Sequence, residues 1–186
     1  MPKLVDHAAR RRELAAAVWR VIARDGVAEV SIRAVAAESG WSSGALRHYF
    51  ATRGELLAFA CEQVTERATA RIRDLDPPGP PRAQVRAVLL EVMPLDTERR
   101  IEASISFAFL ALGLGDPALA RVQRQQHAAL YELCRSLAAQ LGAGGEAVAR
   151  RLHALVDGLS LQIMAGHLSP EAAVAELDAY LAELAG

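Results

Sequence analysis

Apolar positions along this chain recur at spacings of three and four, and no stretch of any length alternates with the two-residue period of a strand. About nine helices are predicted, so the fold class is all-α. The first begins near His7 and carries Leu14, Val18, Val21 and Ile22 on one stripe until Asp25 and Gly26 end it. Ile32, Val35 and Ala36 then mark a helix of about two turns, with Ser31 as its cap and Gly40 as its stop. Glycine suits that exit because it takes the positive φ of a tight turn. Ser42 can cap another short helix over about residues 43–49. Thr52, with Glu55 three residues on, forms a capping box for a long helix striped by Leu57, Cys61, Val64, Ala68, Ile72 and Leu75. Residues 52–74 would make a rod of roughly 35 Å.

Proline lacks the N–H and restricts the residue before it, so Asp76-Pro77-Pro78-Gly79-Pro80-Pro81 ends the rod. A fifth helix carries Val85, Val88, Leu89 and Val92. A sixth, over about residues 97–114, is apolar on every side from Ala103 onward, which predicts a central helix surrounded by protein. Gly115-Asp116-Pro117 separates it from a seventh helix with Leu119, Val122, Leu130, Leu133 and Leu137 facing the core. The eighth, about residues 146–167, has Leu152, Leu155, Leu159 and Ile163 on one side and Val148, Val156 and Leu161 elsewhere. The ninth repeats Val174, Leu177, Leu181 and Leu184 in the narrow stripe of a helix–helix seam. Gly158 in mid-helix costs about 1 kcal/mol against alanine, which is explained if another helix approaches there. These last two helices are expected to pair with their twofold mates through Leu152, Leu155, Leu159, Ile163, Leu177, Leu181 and Leu184. A closed bundle within one chain is the other arrangement the stripe allows.

Charge adds an asymmetry that the net value of −1 hides. Residues 1–53 hold nine Lys/Arg against five Asp/Glu, whereas the other 133 hold twelve against seventeen. A basic head on an acidic body suits a protein that meets phosphates at one end. The longest nearly uncharged run, residues 103–115, is shorter than the about twenty residues a bilayer requires, so no membrane span is expected. Arg20 and Arg24 interrupt the only early apolar patch, which argues against a signal peptide and for a cytoplasmic protein. Cys61 and Cys134 fall inside helical patterns and fit reduced core thiols, a redox switch being the other reading. No Gly-rich phosphate loop and no nucleophile elbow occurs, so neither catalysis nor a cofactor is expected. His153 and Asp157 lie one turn apart and read as a local hydrogen bond, and no metal site is expected.

Helix, short turn, helix around Gly40 is the helix-turn-helix arrangement, or one more hairpin in an all-helical chain. The run I-R-x-V-A-x-x-S-G-W-S-S-G-A-L-R-H-Y-F followed by A-T-R-G-E-L-L closely resembles TetR-family transcriptional repressors in order and spacing over some twenty-five positions. Arg99-Arg100, the apolar sixth helix, Asp116-Pro-Ala-Leu-Ala120 and Leu155-Val-Asp-Gly-Leu159 resemble the C-terminal half of the betaine-synthesis-repressor type. The resemblance implies a three-helix DNA-binding domain over residues 1–52 and a ligand-binding and dimerisation domain over residues 53–186. It implies a cytoplasmic homodimer that represses transcription on a palindromic double-stranded operator and is released by a small-molecule effector. The competing class is a helical protein-binding adaptor, which has no need of a basic head.

By the same resemblance Ser43, Gly44, Ala45 and Arg47 face base edges, where an arginine paired with guanine gives about 1–3 kcal/mol of discrimination. Ser31, Ser42, His48, Tyr49 and Arg53 hold phosphates, and Arg33 does either. Arg47 stands where tyrosine is frequent and Trp41 where a small aliphatic is usual, while Arg53 replaces a frequent lysine. Trp41 either fills the joint between the two helices or touches the DNA backbone. For the effector, Phe59, Met93, Phe107, Phe109 and Met164 are candidate pocket walls, with His127 and Tyr131 as polar anchors and Gln123 beside them. Ordinary core packing is the other reading for each.

Overall fold

Side-chain caps and glycine exits divide the chain where its pattern changes. The computed structural model describes residues 7–115 and 117–184. Among them there are nine α-helices and no strand: α1 His7–Asp25, α2 Ile32–Ser39, α3 Ser43–Arg47, α4 Arg53–Asp74, α5 Pro81–Glu91, α6 Thr97–Gly115, α7 Pro117–Gln140, α8 Glu146–Met164 and α9 Pro170–Leu184. One turn of 3-10 helix, Val27–Glu29, joins α1 to α2. The Thr52 hydroxyl accepts from the Glu55 N–H at 3.1 Å, while the Glu55 carboxylate reaches back to the Ala51 N–H at 2.8 Å. That reciprocal cap fixes where α4 starts, one residue after the head's last turn. No described helix is long and apolar enough to cross a membrane. The expected side chains Leu119 and Val122, with Asp116, lie outside the described residues.

Two apolar cores form, and α4 runs between them. The first gathers Leu14, Val18, Val21 and Ile22 of α1, Val35 and Ala36 of α2, Leu46 of α3 and Phe50. It continues into Leu56, Leu57, Phe59, Ala60 and Cys61 of α4, and into Ile105 and Phe109 of α6. The head therefore packs on the body through α4 and α6, well past residue 52. The second core joins Val85, Leu89 and Met93 of α5 with Cys134 and Leu137 of α7, Leu152, Val156, Leu159 and Ile163 of α8, and Ala173, Leu177 and Leu181 of α9.

This second core corrects the expected dimer seam. Leu152, Leu159, Ile163, Leu177 and Leu181 are each at most 5% exposed within one chain, so no partner helix can reach them. Leu155 and Leu184 are half-buried. The narrow α9 stripe packs on the protomer's own α5 and α8. Periodicity marks which face of a helix is apolar and leaves open whose helix covers it. The outward face of α8 carries Ala154, Gly158, Leu161 and Ala165 at spacings of four, three and four, with Leu161 55% exposed. A Cβ built on Gly158 meets nothing within 4 Å.

The sixth helix also departs from expectation. Glu102, Ile105 and Phe109 are buried, but Leu110 is 37% and Leu114 83% exposed, so α6 is not enclosed on every side. Its charged start is bound to α4 instead. The Arg71 guanidinium of α4 meets both oxygens of Glu102 and the Glu91 carboxylate of α5. Arg67, one turn earlier, pairs with Glu98 of α6 and places its guanidinium 4.2 Å from the ring centre of Trp19 in α1.

Candidate DNA interface and ligand cavity

The α2–α3 element is built from local rules. Ser31 Oγ accepts the Ala34 N–H at 3.1 Å and Ser42 Oγ accepts the Ala45 N–H at 3.0 Å. Between them Gly40 turns the chain at φ 73°, where a side chain would be strained. Leu46, fully buried, anchors α3 to the first core and leaves Ser43, Gly44 and Arg47 exposed. α3 ends at Arg47, so His48 and Tyr49 occupy the following turn rather than the helix. Ala45 is half-buried beside Leu46, and Arg33 and His48 are exposed.

Gly44 is the informative position. A Cβ placed on it would find only Ser42 Oγ, at 3.9 Å, so nothing inside the protein demands a glycine. Glycine in a helix costs up to about 1 kcal/mol. Its exposed face without a side chain leaves room for another molecule to approach the α3 backbone closely.

Trp41 lies at the joint between the two helices. It is half-buried against the first core, meets the Tyr49 ring edge-on at 5.5 Å and lies 5.5 Å from the Arg10 guanidinium. Ser31 and Ser42 use their oxygens as caps, which leaves each hydroxyl hydrogen available to donate. Arg53 is engaged within the protein: its Nε donates to the Val30 carbonyl at 2.9 Å and its Nη2 to the Val27 carbonyl at 3.0 Å. It fastens the start of α4 to the α1–α2 link. Arg20 and Arg24 pair with Glu38 at 2.6 and 2.7 Å, and Arg24 with Asp25 at 2.8 Å, which engages two of the head's arginines within the protein. Arg11 and Arg12 have side chains outside the described residues.

A cavity of about 640 Å³ lies between α4, α6, α7 and α8. Val64, Ala68 and Ile72 of α4, Phe107 and Leu110 of α6, Leu130 and Leu133 of α7 and Val156 of α8 give it apolar walls. Its polar groups include Thr65 and Thr69 of α4, Arg99, Glu102 and Ser106 of α6, Gln123, Gln126 and His127 of α7, and His153, Asp157 and Ser160 of α8. Of the expected pocket residues, Phe107, His127 and Gln123 line it. Phe59 and Phe109 do not: both are buried in the first core, Phe59 with its ring 5.1 Å from that of Phe50. Met93 is buried in the second core, and Met164 is half-buried outside the lining. Tyr131 stands behind His153, ring centres 6.3 Å apart. Aromatic residues of α4 and α6 fill the head–body junction because the two helices cross there.

His153 is 6% exposed, and its ring lies edge-on to that of His127 at 4.5 Å. Its Nδ1 is 3.7 Å from Asp157 Oδ2, too long for the hydrogen bond the spacing suggested. Burial pushes the imidazole below its ordinary pKa, the Asp157 charge opposing and the His127 charge adding to the shift. His153 Nε2 and Ser160 Oγ have no hydrogen-bond partner among the described residues. The pair His153 and Asp157 is visible in sequence by its i, i+4 spacing. Its convergence with His127, on another helix, is not.

A helix-turn-helix head on a helical body with a cavity defines a DNA-binding regulator with a ligand-sized chamber. Residues 14–59 match the family model for bacterial regulatory proteins of the TetR family, and residues 81–186 match that for the C-terminal region of BetI-type transcriptional repressors. The chain belongs to the TetR family of transcriptional regulators, DNA-binding proteins rather than enzymes. It is 40% identical over 177 residues to the HTH-type transcriptional regulator PksA of Bacillus subtilis strain 168, covering 88% of this chain and 83% of that protein. The crystal structure of a transcriptional regulator from a Rhodococcus species superposes with a TM-score of 0.80 at 30% identity, covering 94% of this chain and 95% of that one. The multidrug binding protein EbrR complexed with ethidium gives a TM-score of 0.69 at 28% identity, covering 92% and 98%.

Proposed function

We propose that the chain is a cytoplasmic homodimeric repressor that leaves a palindromic operator when a small molecule enters the α4/α6/α7/α8 cavity. One observation carries the reading: a single helix serves both ends. α4 buries Leu56 and Leu57 in the head core and, a few turns later, presents Val64, Thr65, Ala68, Thr69 and Ile72 to the cavity. Arg53 holds its start to the α1–α2 link that leads into the helix-turn-helix, and Arg71 holds its end to α5 and α6. A molecule that fits one tilt of α4 better than another shifts the separation of two recognition helices, and only such differential affinity can act. Two half-sites about one DNA turn apart demand a defined separation.

The apolar walls favour a hydrophobic or aromatic effector, and EbrR binding ethidium supports a planar one. The dimer surface is the outward stripe Ala154, Gly158, Leu161 and Ala165 of α8 with Ala175, Ala179 and Ala182 of α9, small residues that admit a close partner. Gly158 and Leu161 also belong to the cavity lining, so a partner seated there lies against the chamber.

Selection of bound fragments from genomic DNA, followed by gel shift on the recovered site, tests the reading. Recovery of one palindromic sequence is expected, and its complex should dissociate with a cavity ligand that raises the melting temperature. A ligand that stabilises the protein and leaves the complex intact overturns the release mechanism.

A further inference from the structure

We propose that His127 of α7, with His153 and Asp157 of α8, forms a binding site for one divalent transition-metal ion of the zinc class on the cavity wall. One donor atom from each of the three lies within 4.8 Å of the other two. Tetrahedral zinc with bonds of about 2.0–2.2 Å separates its ligands by roughly 3.3 Å, so closure needs side-chain rotations of about 1 Å. The residues that must move are the ones able to: His127 and Asp157 are exposed, while His153 is buried. His153 and Asp157 stand at i, i+4 on one helix face, the spacing by which a helix supplies two ligands to one ion.

Ordinary packing leaves this cluster unexplained. His153 Nε2 is buried without a hydrogen-bond partner among the described residues, although leaving a buried polar atom unpaired is costly. Nδ1 is 3.7 Å from the nearest Asp157 oxygen. A second imidazole stacked edge-on at 4.5 Å supplies no compensation visible in the contacts, and two protonated rings there would repel. A metal ion would bind both rings neutral and take one nitrogen from each, which replaces the repulsion of two protonated rings with attraction to a shared cation. Two imidazoles and one carboxylate suit zinc, copper, nickel or cobalt better than the all-oxygen preference of magnesium or calcium. Three protein ligands leave a fourth position, which water or a donor atom of a molecule in the cavity takes. The ion would link α7 to α8.

The test uses the full chain without an affinity tag, stripped with chelator and desalted. Titration with Co²⁺ is followed by the visible absorption of the bound ion, and titration with Zn²⁺ by calorimetry. About one equivalent per chain is expected, with affinity lowered at least tenfold in both His127→Ala and Asp157→Asn. These exposed positions keep the fold readable, which His153→Ala at a buried site need not do. His167→Ala, exposed in the α8–α9 turn, controls for adventitious binding and should bind as the parent does. Absence of saturable binding, or parental affinity in either His127→Ala or Asp157→Asn, overturns the site. Operator binding is not needed for the measurement, so the site stands or falls apart from the repressor reading.

Discussion

Arg71 of α4 grips Glu102 of α6 through two parallel hydrogen bonds of 2.7 Å, Nη1 to Oε1 and Nη2 to Oε2. The Glu102 side chain is only 7% exposed, so its charge depends on that fork. Fork geometry is what a lysine would lack. Breaking a buried pair by removing one member costs about 3–5 kcal/mol, but Arg71 is 27% exposed and Glu102 keeps Arg67 at 3.7 Å, which lowers the expectation to about 2–3 kcal/mol. Arg71→Ala should lose about that much in denaturant unfolding, and Arg71→Lys a substantial part of it. An unchanged midpoint in both would show that the fork does not hold α4 to α6.

Gly44 and Arg47 separate stability from DNA reading. With no internal neighbour to clash, Gly44→Ala should raise the melting temperature by about 1–2 °C through helix propensity. The same methyl should weaken the operator complex about tenfold in a gel shift, because it stands where the DNA must come close. Arg47→Ala should weaken binding by about 1–3 kcal/mol at unchanged stability. Operator binding undiminished by both changes would remove α3 from the interface.

Arg53 is expected to behave in the opposite way. Its hydrogen bonds to the Val27 and Val30 carbonyls make Arg53→Ala destabilising by about 1–2 kcal/mol in the absence of DNA. Thermal unfolding of the free protein checks this. A variant as stable as the parent but deficient on DNA would return Arg53 to the role of a phosphate contact alone.

The outward α8 stripe predicts a separation between assembly and folding. Leu161→Glu should give folded monomers in sedimentation, since the side chain is already half in solvent. Leu181→Glu should unfold the body, because burying a charge at 1% exposure has no compensating partner. A Leu161→Glu dimer as tight as the parent would place the partner elsewhere.

Both cysteines should be silent in the native state. Burial raises the Cys61 thiol to about 12 and the Cys134 thiol to about 12, leaving a thiolate share at pH 8 of about one in ten thousand. Ellman's reagent should titrate well under one thiol in the folded protein and both after unfolding in guanidinium. Rapid native reaction of either would revive the redox reading.

Local physics made the head legible from residues alone. Ser31, Ser42 and Thr52 each act across three residues, and Gly40 within one, so caps and the turn follow from sequence order. The third dimension decided everything that depends on which helices meet. The stripe of Leu177 and Leu181 was correctly apolar but covered by the chain's own α5 and α8, a choice that periodicity along one helix does not encode. Phe59 and Phe109 went to the head–body junction instead of the cavity for the same reason. His127 reaches His153 only because α7 and α8 pack side by side. Amphipathic pattern and local caps determined the helices, the start of most of them and the helix-turn-helix element, because those rest on neighbours in sequence. Pairing of distant faces determined the cavity, the free α8 surface and the histidine cluster, because only packing sets which buried faces share a core.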